Sequence, residues 1–77
     1  MEDVEVWRAA QQLLKMYGNG AKVVAALRAD KALTEGDTAA FEDWKRITGA
    51  AQMMAYSKGF ASIPYDAYLE MTRERAA

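Results

Sequence analysis

The longest uninterrupted helical signal in the chain, DTAAFEDWKRITGAAQMMAYSKG from Asp37 to Gly59, constrains everything around it. At about 100° per residue, Phe41, Trp44, Ile47, Thr48, Ala51, Met54 and Ala55 fall on one broad apolar face. A narrower strip of Gly49, Met53 and Tyr56 lies on nearly the opposite side. A helix with two apolar surfaces needs neighbours on two sides, so this segment is predicted to be the central element. Its ends are marked as well: Asp37 is placed to accept from the first free amides, and Gly59 can take a left-handed cap conformation.

The rest of the chain reads as three further helices. The first is expected at Val4 to Tyr17, capped by Asp3, with Val6, Trp7, Ala10, Leu13, Leu14 and Tyr17 as its stripe and Gly18-Asn19-Gly20 as its stop. The second, capped by Asn19, runs from Gly20 or Ala21 to about Thr34 or Glu35, with Gly36 as terminator. Val23, Val24, Ala26, Leu27 and Leu33 supply its apolar side, and Asp30 falls inside that stripe, where a carboxylate needs a partner such as Arg28 or the indole of Trp7 or Trp44. After the central helix, Phe60 is placed to fold back past Gly59, and Ser62 opens a last helix whose first turn holds Pro64. Tyr65, Tyr68, Leu69 and Thr72 form its stripe.

No period-2 run or hairpin turn is present. Short connections imply antiparallel neighbours, so residues 1–77 are expected to form one compact, all-α, four-helix domain. Helices 1 and 2 would cover the Trp44 face of the central helix. Helix 4 would cover Gly49, Met53 and Tyr56, and a close crossing there would account for a mid-helix glycine that costs roughly 1 kcal/mol relative to alanine.

Composition excludes more than it assigns. Ten Lys and Arg against eleven Asp and Glu, spread over all four helices, leave a formal charge of −1 and no basic face, which argues against direct nucleic-acid binding. No apolar run approaches the length of a membrane span, and no secretion signal is recognisable, so the expected location is the cytoplasm. With no histidine and no cysteine, the commonest general base, zinc ligand and strong nucleophile are missing. Glu42 is spaced to pair with Arg46 rather than to form an acid/base dyad with Asp43. Gly18-Asn19-Gly20 lacks the remaining residues and the preceding strand of a phosphate-binding loop, and reads as a helix–helix turn. No catalytic, metal or cofactor site is expected, and the chain is not expected to be an enzyme.

Met53, Met54, Tyr56, Phe60, Tyr65 and Tyr68 gather adaptable methionines and aromatics around the junction of the last two helices, with Asp66 and Glu70 beside them. Such residues suit protein recognition. They are also what an internal seam between two helices would use. The expected partner-binding set is Met53, Tyr56, Phe60, Tyr65, Asp66, Tyr68 and Glu70.

Glu5-Val6-Trp7, Ala10, Leu13, Gly18, Ala21, Arg28, Leu33, Gly36-Asp37, Trp44 and Ile47 together resemble the pattern of a family of short uncharacterised alphaproteobacterial proteins. The resemblance spans about Glu5 to Ala51, carries no known catalytic residues, and fades from Gln52 onward. Small proteins of this kind also occur in phages and mobile elements. That context implies a non-catalytic, protein-binding inhibitor that docks on a host defence or nucleic-acid-processing complex, similar in kind to anti-CRISPR proteins. The alternative is a chromosomal homodimeric structural or regulatory protein.

Overall fold

The computed structural model describes residues 1–56 and 63–76, without the side chains of 74–76. The described chain is all-helical: α1 (Asp3–Tyr17), a 3-10 turn (Gly18–Gly20), α2 (Ala21–Thr34), α3 (Thr38–Ala55) and a shorter, peripheral α4 (Tyr65–Ala76). The expected cap at Gly59, the fold-back of Phe60 and the helix start at Ser62 lie outside the described residues.

The helix ends follow from local chemistry. At the start of α1 the Glu2 amide donates to Glu5 Oε1 at 3.0 Å, so Glu2 occupies the capping position. Asp3, expected as the cap, lies one residue inside the helix, and its carboxylate pairs with Arg46 across the fold. Gly18 stops α1 at φ 57, but Asn19 makes no side-chain cap to α2. Between α2 and α3, Gly36 sits at φ 76 and its amide donates to Leu33 O at 3.1 Å, while the Asp37 amide donates to Ala32 O at 2.9 Å. That pair of bonds is a Schellman closure, which satisfies carbonyls the helix end would leave bare. Asp37 Oδ1 then accepts from the Ala40 amide at 3.0 Å, so one residue closes α2 and opens α3. Pro64 precedes α4 rather than entering its first turn, and its carbonyl accepts from the Tyr68 amide at 3.0 Å.

The core collects Val6, Ala10, Leu13 and Leu14 from α1, Ala21 and Ala25 from α2, Ile47, Ala50, Ala51 and Met54 from α3, and Ile63 and Tyr68. As expected, α1 and α2 cover the broad face of α3. Lys22 borders one small cavity with Gln52, Ala55 and Tyr56, and the Arg28 guanidinium lies 5.1 Å from the Trp44 ring, so α2 and α3 run antiparallel.

α2 is turned differently from the expectation. Its buried residues are Ala21, Ala25, Ala29 and Ala32, whereas Val23, Leu27 and Leu33 are 54%, 62% and 54% exposed. Alanine every three or four residues makes a shallow ridge that lets the helix sit close on α3, where a ridge of leucines would hold it away. The same rotation takes Asp30 to solvent, so this carboxylate needs no buried partner. Trp7 Nε1 instead donates to Ile63 O at 2.8 Å, and Gln11 Nε2 donates to the same carbonyl at 2.6 Å.

Those two bonds tie the start of α4 to α1, and the Trp7 and Tyr65 rings lie 5.4 Å apart. α4 therefore rests mainly on α1 and does not cover the Gly49, Met53 and Tyr56 strip. Among the described residues nothing lies within 4 Å of where a Gly49 Cβ would be, so the close crossing expected there is not seen.

Candidate functional site

Because α4 is drawn toward α1, a cleft of about 410 Å³ remains between it and α3. Gly49, Ala50 and Met53 line the α3 side, Tyr68 and Thr72 the α4 side, and Asp3 and Arg46 the remaining border. Arg46, Gly49, Ala50 and Met53 share this line because residues three and four apart stack on one helix face. Glycine and alanine contribute little bulk, so the depth of the cleft at its centre is set by the backbone of α3.

The polar border is organised. Arg46 Nη2 donates to Asp3 Oδ1 and Nη1 donates to the Met1 carbonyl. The expected Glu42–Arg46 pair does not form; Glu42 instead lies 3.9 Å from Lys45 Nζ. Geometry explains the exchange, since Asp3 offers Arg46 a partner across the cleft border while Glu42 and Lys45 are one turn apart on the open side of α3. Both Asp3 and Arg46 are exposed, so the pair is worth at most about 1 kcal/mol to the fold.

Tyr68 is buried, its ring 6.2 Å from that of Tyr65. Burial pushes its hydroxyl above the ordinary tyrosine range, the Asp3 carboxylate adds to the rise, the Arg46 guanidinium opposes it, and Tyr65 adds a little more. Its phenol is therefore protonated at neutral pH and available as a donor.

The expected partner-binding residues are divided by this arrangement. Met53 and Tyr68 come together across the cleft. Tyr65 is half-buried against Trp7, so most of its ring serves the α1–α4 contact. Tyr56 is 81% exposed, beyond the last turn of α3 beside Asn19 and Lys22. Asp66 and Glu70 face solvent, with Glu70 3.2 Å from Arg73. Phe60 lies outside the described residues. Asp3, Arg46, Ala50 and Thr72 were not anticipated at the site. The spacing 46, 49, 50, 53 carried a readable signal for the α3 members; nothing local could have brought Asp3 to Arg46.

Among the described residues no three acidic side chains gather as a metal-ligand set, and no helix is long and apolar enough to cross a membrane. What the cleft offers is an apolar trough with a charged pair at its border, of a size that admits one or two side chains. No family model matches the chain, and comparison with curated proteins and with solved structures finds no match.

Proposed function

We propose that this chain is a non-catalytic protein-binding module, acting in the cytoplasm, whose cleft between α3 and α4 receives apolar side chains of a partner. One observation carries this reading. Among the described residues, the trough of Gly49, Ala50 and Met53 stays open although α4 passes beside it. A mid-helix glycine costs the fold about 1 kcal/mol relative to alanine, and no described residue approaches the Gly49 Cβ position closely enough to require it. A partner that approaches the α3 backbone at that point gives the glycine a use. Met53 adapts its shape to the inserted group, and Asp3 and Arg46 at the border meet the partner's polar atoms. The narrower role, an inhibitor from a phage or mobile element that docks on a host complex in the manner of anti-CRISPR proteins, follows from the family resemblance and is part of this proposal.

The test is affinity capture from lysate of the native host with three tagged proteins: the natural sequence, Met53→Asp and, as a remote control, Leu27→Glu. Circular dichroism first establishes that both variants keep their helicity. The reading expects one partner retained by the natural protein and by Leu27→Glu and lost with Met53→Asp. Retention by Met53→Asp at the natural level overturns it. The identity of the captured protein decides the narrower role, since a defence or nucleic-acid-processing complex is required.

A further inference from the structure

A second surface, remote from the cleft, arises from the rotation of α2. Opposite its alanine ridge, Val23, Leu27, Asp30 and Thr34 form the outermost line of the helix at 100° per residue, with Leu33 to one side. Three large aliphatic side chains more than half exposed on one 14-residue helix is an unusual concentration for a chain whose whole surface is 5007 Å². At the end of α1, Met16 and Tyr17 are also 60% and 43% exposed.

We infer that this face pairs with the same face of a second copy of the chain, α2 antiparallel to α2, about a two-fold axis level with Ala25. That register places Val23 of each copy against Leu27 of the other. It also sets Asp30 level with Gly20 of the opposing copy. There the α2 N-terminus has no side-chain cap and no acidic residue in its first turn, and Lys22 follows closely. A carboxylate beside that positive end is complementary. The two Asp30 residues are themselves ten positions apart along the pair, about 15 Å at 1.5 Å per residue.

The obvious competing register, centred on Leu27, is worse on both counts. It sets Asp30 against Val24 and Val23 against Lys31, and it brings the two aspartates to within about 9 Å. The position of Asp30, next to Leu27 at the edge of the apolar face and bordering a groove shared with Phe41 and Lys45 of α3, therefore favours the offset pairing over deep burial in an arbitrary apolar groove. Area sets the strength. The helix is about 21 Å long and offers a strip about 10 Å wide, short of the roughly 800 Å² per partner that a stable interface uses. The dimer is therefore expected to be weak.

Sedimentation equilibrium of the natural sequence from about 10 µM to 1 mM tests this, alongside Leu27→Glu, Asp30→Lys and Met53→Asp. The expected result is a mass rising from 8.6 kDa toward twice that value with concentration. Leu27→Glu should raise the dissociation constant at least tenfold, Asp30→Lys severalfold, and Met53→Asp should leave it unchanged. Leu27 and Asp30 are exposed, so these variants keep the fold. A natural protein that stays at 8.6 kDa throughout, or a Leu27→Glu variant that associates equally well, overturns the inference. Loss of association in Met53→Asp would move the contact to the cleft and overturn it equally.

Discussion

Replacing Gly49 by alanine should stabilise this protein, and the same change at Gly36 should destabilise it. Gly49 lies inside α3, where glycine costs about 0.8–1 kcal/mol relative to alanine through the backbone freedom it gives up on folding. The new methyl meets no atom of the described residues within 4 Å, so neither a clash nor a packing gain among them changes that figure. The expected stabilisation is about 1 kcal/mol, which in a domain of this size corresponds to roughly 4–8 °C in Tm. Gly36 also has open space around its Cβ position, but it holds φ 76 in the Schellman turn. An L side chain there costs roughly 1–2 kcal/mol in the left-handed region. Urea unfolding followed by circular dichroism at 222 nm, at a few micromolar protein, measures both. If Gly49→Ala instead lowers stability by 1 kcal/mol or more, something packs against the α3 backbone at that point, and the open cleft goes with the reasoning. The same variant narrows the trough, so it should weaken capture of the partner while strengthening the fold.

Two further outcomes follow from the way α4 is held. Trp7→Phe removes one of two donors to the Ile63 carbonyl and should cost about 0.5–1.5 kcal/mol, because Gln11 still satisfies the acceptor; adding Gln11→Leu should cost more than the sum of the singles. Hydrogen exchange should place the loss in the amides of α4. Tyr68 titrates above the ordinary tyrosine value of 10.0, so its folded pKa exceeds its unfolded one. The stability gained from burying the neutral phenol is complete below pH 10 and is lost as pH rises through the folded value. Unfolding free energies measured from pH 8 to 11 should fall more steeply for the natural protein than for Tyr68→Phe, and equal slopes would remove Tyr68 from the buried seam.

Helix identity was legible because glycine, aspartate and apolar spacing act locally. Asp37 caps α3 and Gly36 closes α2 as their residue types require. The broad face of α3 was equally readable, since Trp44, Ile47, Ala51 and Met54 stand at one spacing and the opposing strip of Gly49, Met53 and Tyr56 is narrower. α2 defeated the same reasoning because it has two apolar faces, one of alanines and one of valine and leucine. Periodicity ranks the larger residues as the core. Close approach to α3 favours the alanines, and that is a property of the neighbouring helix which α2 alone does not encode. Asp30 was misplaced for the same reason: a residue assigned to the wrong face of a helix becomes a misfit that the fold does not contain. The cleft was half legible. Met53 and Tyr68 were anticipated as neighbours, but its opening depends on Trp7 and Gln11 holding Ile63 from 56 and 52 residues away.

The rotation of α2 underlies both the core described above and the outward face assigned to a second copy. Its most direct test is the unfolding free energy of Ala25→Leu beside that of Leu27→Ala, at low micromolar concentration. Ala25 is fully buried, so a leucine there overpacks the α2–α3 contact and should cost about 1–3 kcal/mol. Leu27 is 62% exposed, and its truncation should change stability by no more than about 0.5 kcal/mol. The reverse order, with Leu27→Ala costing 2 kcal/mol or more and Ala25→Leu tolerated, would mean that the leucine face is the buried one, and would contradict the account.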